Sequence, residues 1–310
     1  MIEKQKLKGQ GENVIKVGFC VAYDWPLLAY SIPLIYNGAH AICLSIDKGR
    51  YSWANRPFYW DESGFNALIR SLDTGSKIVV YEDDFHLRSL TPAANEVRQR
   101  RLMSERLGKG GWHIQLDCDE YFLDFDRFVD FLIAQRPRSY SFNVACQLVT
   151  IFKQVEGGYL YVKPECTDHF EFLQIASRTP CYEFGRRNGH FNILSDFLIV
   201  HQSWARPEAE ILQKLSNWGH VNDFNTEGYF QFWRGVNQAN FHEFRNLHPI
   251  QPATWPSLKY IPGNGASDLI GSFRKSSFPT LGRASRFWKS SIFISRLYSG
   301  IRRFLTWTFQ

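Results

Sequence analysis

Four apolar runs, each ending in aspartate, constrain the fold of this chain more than any other feature of its sequence. The runs are VIKVGFCVAYD, AHAICLSID, SKIVVYEDD and WHIQLDCD, and they end at Asp24, Asp47, Asp84 and Asp119. Helix-compatible segments lie between several of them, including PLLAYSIPLIYNG and TPAANEVRQRRLMSERLGKGG. Apolar strands that alternate with helices indicate a mostly parallel sheet with helices on both faces. We therefore predict an α/β fold.

Acidic residues at the ends of these runs predict a ligand site. The carboxyl ends of parallel strands meet at one edge of a sheet, and ligands bind there. The fourth run brings Asp117, Asp119 and Glu120 within four positions. Two close carboxylates repel each other and suit a divalent cation, and their hard oxygen ligands select Mg²⁺ or Mn²⁺, whose open positions phosphate oxygens commonly fill. The cluster predicts a metal–diphosphate site; the alternative is a solvated strand end.

The second half of the chain predicts a small antiparallel addition to the sheet. SYSFNVACQLVTIFKQVEGGYLYVKP is typical of two strands around a turn at Gly157 and Gly158. ILSDFLIVHQSW predicts another strand with His201 at its carboxyl end. We expect a flexible N-terminus over residues 1–14, one domain over residues 15–250 and an irregular linker over residues 251–285.

The C-terminal tail carries the basic charge of the protein. Residues 271–310 hold eight basic and no acidic side chains, whereas the rest of the chain holds 28 basic and 30 acidic ones. A helix over residues 286–310 would align five apolar side chains beside basic ones, which is typical of an amphipathic helix on an anionic membrane. The alternative is a helix packed on the protein's own core. No nucleic-acid-binding motif is present, so we expect no nucleic-acid partner.

Cellular location follows from what the sequence lacks. The first 16 residues contain no apolar segment typical of a signal peptide, and no run of about 18 apolar residues predicts a membrane span. Six cysteines without a CxxC pair fit a reducing compartment. We expect a cytoplasmic protein that binds peripherally to the cytoplasmic face of the membrane.

The segment GGWHIQLDCDEYF resembles the Asp-x-Asp strand of GT-A fold glycosyltransferases, especially family-2-like members that read Trp-x-x-x-x-Asp-x-Asp-Glu-[Phe/Tyr]. NEVRQRR is similar to the helix that these enzymes place before that strand. VHQSWARPEAEILQKLSNWGH resembles a His-x-Ser-Trp-x-Arg stretch of some bacterial members. The resemblance covers roughly residues 16–235. It implies a transferase that moves a sugar from a nucleotide-sugar, with a UDP-sugar as the first choice, to a glycan or lipid-linked acceptor.

The resemblance also implies roles for particular residues. Asp117 and Asp119 would bind the divalent cation that holds the donor diphosphate, with His201 as a later ligand, and Asp117 would also contact the donor. The remaining donor-binding residues would be Ala22, Tyr23 and Asp24 at the nucleobase, Asp47 near the ribose or uracil, and Arg98 and Arg101 on one helix face.

The catalytic base is less constrained, because the chain lacks the Glu-Asp pair that family-2 members usually carry. Candidates are Asp168, Glu171, Glu183 and Asp196. We favour Asp168 and Glu183, which lie in polar, loop-like surroundings. Two other functions use the same residues: a metal-dependent phosphotransferase or nuclease, and a non-catalytic nucleotide-binding protein on the same fold.

Overall fold

A large mixed sheet with helices packed against it forms the framework of the protein. The computed structural model describes residues 11–136, 138–164, 169–217, 223–278 and 280–282. The strands are β1 (Ile15–Val21), β2 (Ala41–Asp47), β3 (Ile78–Asp83), β4 (Trp112–Asp117), β5 (Glu120–Phe122), β6 (Phe142–Val155), β7 (Gly158–Lys163), β8 (Glu171–Ser177), β9 (Phe191–His201) and β10 (Ser257–Pro262). The helices are α1 (Leu28–Ile35), α2 (Glu62–Leu72), α3 (Pro92–Leu107), α4 (Phe125–Ile133), α5 (Glu208–Asn217), α6 (Thr226–Gly235) and α7 (Ala266–Lys275).

The sheet has a parallel part and an antiparallel part that meet at β4. In the parallel part β3, β2, β1 and β4 lie side by side, as the four apolar runs predict. Next to β4, the strands β8, β6, β7 and β10 follow in antiparallel pairs. Strand β9 pairs in parallel with β6 and antiparallel with β5. The predicted α/β class and the β6–β7 hairpin are confirmed, and the antiparallel part is larger than the sequence predicts.

Helices cover both faces of the parallel part, which explains why β1 and β2 are buried at every position. On one face, α1, α2 and α4 contribute apolar side chains such as Ile32, Phe65 and Phe128 to the main core. On the other face, α3 packs Met103 against the strands. Gly18 of β1 permits this contact, because a Cβ there would lie 2.8 Å from the Met103 sulfur.

The turn between α3 and β4 fixes the start of the strand that carries the acidic cluster. Gly111 has a φ of +70°, and a Cβ there would lie 2.4 Å from the carbonyl oxygen of Val14. Lys16 of β1 reaches into the same turn. Its Nζ donates to the carbonyl oxygens of Gly108, Lys109 and Gly110 at 2.8, 2.9 and 2.8 Å. One buried ammonium therefore satisfies three consecutive carbonyls.

The described residues of 251–285, which omit 279 and 283–285, do not form the irregular linker that the sequence predicts. They contain β10, which extends the sheet beside β7, and α7, whose Leu269 and Phe273 are buried in a second apolar cluster. The periodic apolar positions of this segment are separated by Pro, Asn and Gly, which hide the pattern in the sequence.

Three of the sequence predictions fall wholly or largely on residues that the structure does not describe. The predicted tail helix over residues 286–310 lies outside the described residues, as do residues 1–10 of the flexible N-terminus and Asp168. Among the described residues, no helix has the length and apolar content needed to cross a membrane.

Replacing Lys16 by methionine tests the turn that positions β4. Lys16→Met leaves three carbonyl oxygens without their donor, and an unsatisfied buried polar group costs about 1–3 kcal/mol. We expect the free energy of unfolding, measured by urea titration, to fall by about 2 kcal/mol or more. Lys48→Met is the matched control, since Lys48 is exposed just after β2. Equal unfolding midpoints for the two variants would contradict the role of Lys16.

Candidate functional site

A cavity of about 330 Å³ opens at the carboxyl ends of β1, β2 and β4, at the edge where the sequence predicts a ligand site. Its volume is typical of small-molecule sites. Seven of the predicted site residues line it, and they are Ala22, Tyr23, Asp24, Asp47, Asp117, Asp119 and His201. The cavity therefore brings together the predicted residues that follow strands.

Asp119 lies at the centre of the charged wall of this cavity. It is 3% exposed and lies two residues after the end of β4. Its Oδ1 lies 3.5 Å from Nε2 of His201, because β5 and β9 pair Glu120 with His201 in register. Its Oδ2 accepts a hydrogen bond from Arg206 and lies 3.6 Å from Nζ of Lys214. Burial alone would raise the pKa of Asp119, but these cations and His201 hold it well below its ordinary value.

Arg206 bridges two of the aspartates that end strands. Its guanidinium pairs with Asp119 and lies 3.5 Å from Oδ2 of Asp24. Burial raises the pKa of Asp24, with Arg206 opposing that rise. Arg206 is 5% exposed, and its Nε–H has no hydrogen-bond partner among the described residues. A buried donor at a cavity wall without a partner is suited to an oxygen-rich ligand.

Lys214 reaches the same wall from helix α5. Its Nζ donates to the carbonyl oxygen of Ser203 at 3.0 Å and to the Ser203 hydroxyl at 3.3 Å. Ser203 adopts a φ of +34°, so the loop after β9 turns sharply at this residue. Burial lowers the pKa of Lys214, while Asp119 favours its charged form. The loop and the helix thus place a second cation beside Asp119.

Asp117 is held by two buried guanidinium groups. One of its oxygens accepts from Arg100 at 3.0 Å, and the other lies 2.8 Å from Arg186. Arg186 also donates to Glu120 at 2.8 Å, and Glu120 in turn accepts from the Asp117 backbone N–H at 3.0 Å. Burial alone would raise the pKa of Asp117, but Arg100 and Arg186 lower it to about 2. Both oxygens of Asp117 are therefore engaged, in contrast to the free metal ligand that the resemblance implies.

The structure places Arg98 and Arg101 away from the cavity. Arg98 donates to the Asp84 carbonyl at 3.2 Å, and Arg101 is 59% exposed beside Glu105. Neither is among the described residues that line the cavity. The arginine of α3 that faces inward is Arg100, which is 1% exposed. Its Nε donates to Glu96, four positions earlier on the same helix face, at 3.0 Å, but the sequence alone does not distinguish Arg100 from Arg98 and Arg101.

Asp47 lines the cavity, but its carboxylate already has two backbone partners. Oδ1 accepts from the Tyr51 N–H at 3.0 Å, and Oδ2 accepts from the His86 N–H at 2.8 Å. These bonds tie together the loops that follow β2 and β3. In this structure Asp47 positions the loop that brings Tyr51 and Trp53 to the cavity wall.

The four candidate bases occupy different surroundings. Glu183 is exposed in a tight turn and is not among the described residues that line the cavity, and Asp168 lies outside the described residues. Asp196 accepts a hydrogen bond from the Leu281 N–H at 3.0 Å, which ties the end of the described chain to β9. Glu171, at the start of β8, is the one of the four that lines the cavity among the residues described. The structure thus favours Glu171 over the predicted Glu183.

Two side chains at Asp119 could contribute to holding a divalent cation. Within the described part of the chain, no three His, Cys, Asp or Glu side chains form a group that could hold a metal ion. Asp119 Oδ1 and His201 Nε2 offer two donors that face one another across 3.5 Å. Mg²⁺ and its analogues commonly bind through one or two protein groups and complete their shell with water and phosphate oxygens.

Comparison of the chain with models of known protein families found no match. Comparison with curated protein sequences found no match either.

Replacing Asp117 by asparagine tests its pairing with Arg100 and Arg186. Breaking a buried ion pair by removing one partner costs about 3–5 kcal/mol, so we expect Asp117→Asn to lower the free energy of unfolding by about 3 kcal/mol at pH 7. The folded-state pKa is lowered, so this stabilisation is present above about pH 4 and is lost as pH falls toward 2. Urea titrations from pH 7 to pH 3 should therefore show the difference between wild type and variant shrinking below pH 4.

The matched control for this titration is Asp130→Asn, because Asp130 is exposed on α4. Its difference from wild type should be small at every pH. A difference between wild type and Asp117→Asn that stays constant from pH 7 to pH 3 would contradict the assigned pairing.

Proposed function

We propose that the protein is a metal-dependent glycosyltransferase that moves a sugar from a nucleotide-sugar, of which a UDP-sugar is the first choice, to a glycan or lipid-linked acceptor in cell-surface polysaccharide or lipopolysaccharide synthesis. The observation that carries the proposal is the position of Asp119 and His201, 3.5 Å apart at adjoining strand ends, in a cavity whose wall also holds Arg206 and Lys214. This arrangement suits a diphosphate. The resemblance of GGWHIQLDCDEYF to the GT-A strand supports the same function.

Asp119 and His201 are the residues that would hold the divalent cation. A bound cation supplies positive charge that stabilises the leaving nucleoside diphosphate. Arg206 and Lys214 provide further positive charge from the protein itself. Asp24 and Asp119 hold Arg206 in place before substrate arrives, and Ser203 holds Lys214. Little reorganisation of these cations is therefore required when charge develops on the phosphate.

Part of the cavity wall is suited to the nucleoside. Tyr23 at the end of β1 and Tyr51 and Trp53 in the loop after β2 give this part an aromatic lining. Trp53 is fixed by a hydrogen bond from its indole N–H to Gln99 at 2.6 Å. A rigid aromatic surface binds a flat heterocycle at low entropic cost. The nucleobase would therefore lie at this part of the wall, with the diphosphate directed toward Asp119.

The same observations bear on the two alternative functions, a metal-dependent phosphotransferase or nuclease and a non-catalytic nucleotide-binding protein. A nuclease or phosphotransferase would require more carboxylates around its metal, whereas in the described part of the chain Asp117 and Glu120 are paired with arginines and no three-ligand group is found. A silent nucleotide-binding protein would share the cavity but would not transfer sugar. Turnover of a donor distinguishes it from an enzyme.

Localisation at the cytoplasmic face of the membrane belongs to the same proposal. The basic tail over residues 286–310 would bind anionic lipid, and it would hold the enzyme where a lipid-linked acceptor is available.

A thermal-shift panel of UDP, GDP and ADP, with and without Mn²⁺, tests the donor site. A ligand at about 100 times its Kd adds about 2.7 kcal/mol to stability, which raises Tm by several degrees. We expect UDP with Mn²⁺ to give this rise and UDP alone to give less. Asp119→Asn should remove the dependence on Mn²⁺, because it removes the negative charge of one of the two cation ligands.

Asp130→Asn, on the surface of α4, serves as the control and should respond to UDP and Mn²⁺ as the wild type does. If no nucleotide raises the Tm of the wild type in the presence of Mn²⁺, the proposed function loses its basis. If Asp119→Asn keeps the full metal-dependent rise, the assignment of the cation site is wrong.

A further inference from the structure

A second cavity, also of about 330 Å³, adjoins the first. The two share part of their walls, formed by Leu148, Thr150, Glu171 and Trp255. No role has been assigned to this second cavity so far. Side chains on a common wall can contact the occupants of both cavities.

The sheet register explains why these shared residues face the same space as the proposed cation site. Leu148 of β6 pairs with Glu171 of β8, and Thr150 of β6 pairs with His201 of β9. Paired residues, and residues two apart on one strand, project from the same face of a sheet. Glu171 and His201 therefore project from one face, with β6 between their strands.

Strand spacing places Glu171 about one sugar ring beyond the reach of His201. The two residues are separated by two strand spacings and by two residues along the strands, which puts their Cα atoms about 12 Å apart. A diphosphate held near His201 would therefore leave room for the attached sugar ring before Glu171 is reached. The carboxylate would then lie on the side of the anomeric carbon that faces the second cavity.

The lining of the second cavity indicates what it binds. Phe170, Val162, Pro256 and Trp255 make most of the wall apolar or aromatic. No Lys or Arg is among the described residues that line it, and the Nδ1 of the histidine among them, His169, lies 2.8 Å from the carbonyl oxygen of Phe170. Aromatic walls with a few polar groups suit the alternating C–H and hydroxyl groups of a neutral sugar.

Glu171 has the environment of a general base. Its side chain is 46% exposed, which leaves the carboxylate accessible, and Nη2 of Arg187 lies 3.8 Å from its Oε1. Partial burial raises the pKa of Glu171, with Arg187 and His201 opposing that rise. A carboxylate with a raised pKa is a better proton acceptor near neutral pH.

We propose that the second cavity binds an uncharged sugar as acceptor, and that Glu171, on the shared wall, takes the proton from its attacking hydroxyl. This inference rests on the proposed glycosyl transfer. The acceptor oxygen forms a bond to the anomeric carbon while its proton passes to the Glu171 carboxylate. The bond between the anomeric carbon and the phosphate oxygen breaks, and its electron pair stays on the nucleoside diphosphate.

The test of Glu171 uses the full-length chain and three variants. UDP release from UDP-glucose, UDP-galactose and UDP-N-acetylglucosamine with Mn²⁺ is measured for wild type, Glu171→Gln, Glu183→Gln and the exposed control Glu156→Gln. General-base catalysis contributes about 10²–10⁴-fold, so Glu171→Gln should release UDP at least 100-fold more slowly, both in water and with acceptor present. Its Tm rise with UDP and Mn²⁺ should persist, because Glu171 is not a proposed ligand of the diphosphate.

The test of the acceptor cavity adds neutral p-nitrophenyl glycosides to one set of assays and glucose 6-phosphate to another. We expect a neutral glycoside to accelerate UDP release by wild type at least tenfold and the sugar phosphate to have no effect. Ala253→Trp adds bulk to the wall of the second cavity and should raise the KM for the glycoside at least tenfold.

Each outcome has one meaning. Wild-type rates in Glu171→Gln overturn the assignment of the base, and a 100-fold loss in Glu183→Gln instead would assign that role to Glu183. Acceleration by the sugar phosphate alone, or by no glycoside, overturns the neutral acceptor. If the wild type binds UDP but releases no UDP from any of the three sugar nucleotides, the assignments of the base and of the acceptor cavity are both overturned. The assignment of the first cavity as a nucleotide site would then still hold. Absence of UDP binding means that the proposed function itself has failed.

Discussion

Pairing between buried carboxylates and guanidinium groups at one edge of the sheet is the interaction on which the rest of the site depends. Asp117 and Glu120 share Arg186, and Asp24 and Asp119 share Arg206. Each of these acids would be costly to bury as an isolated charge. Arginine is suited to this position, because its planar group contacts two carboxylates at once and stays charged when buried. The carboxyl ends of β1 and β4 can therefore lie together inside the protein.

The sequence predicts the parallel half of the fold well, because each strand of that half consists of one contiguous apolar run. Strands β1, β2, β3 and β4 each coincide with one run, and Thr91 and Gly108 mark the ends of α3 as their residue types predict. The later region is harder to predict, because β10 and α7 are stabilised by packing against β7 and against a distant apolar cluster. Tertiary contacts of this kind leave only a weak periodicity in the local sequence.

Some residues of the candidate site can also be predicted from the sequence, and others cannot. Residues at or shortly after strand ends, such as Asp24, Asp119 and His201, are predictable because the sheet brings strand ends together. The side chains that pair with them are not, since the choice between Arg98, Arg100 and Arg101 depends on the rotation of α3 about its axis. Arg186 comes from a loop that no pattern in the sequence connects to β4. The position of Glu171 depends on a register between β6 and β8 that only the folded sheet reveals.

Strand β9 has one further consequence for how this protein can change. It is hydrogen-bonded on one side to β6 and on the other to β5, and both ladders end at His201. Inserting or deleting one residue within β9 would turn His201 to the opposite face of the sheet, since side chains alternate along a strand. The loop after β9 is constrained as well, because it carries Ser203 and Arg206, which contact Lys214 and Asp119. Descendants of this chain should therefore keep the lengths of β9 and of the loop that follows it constant.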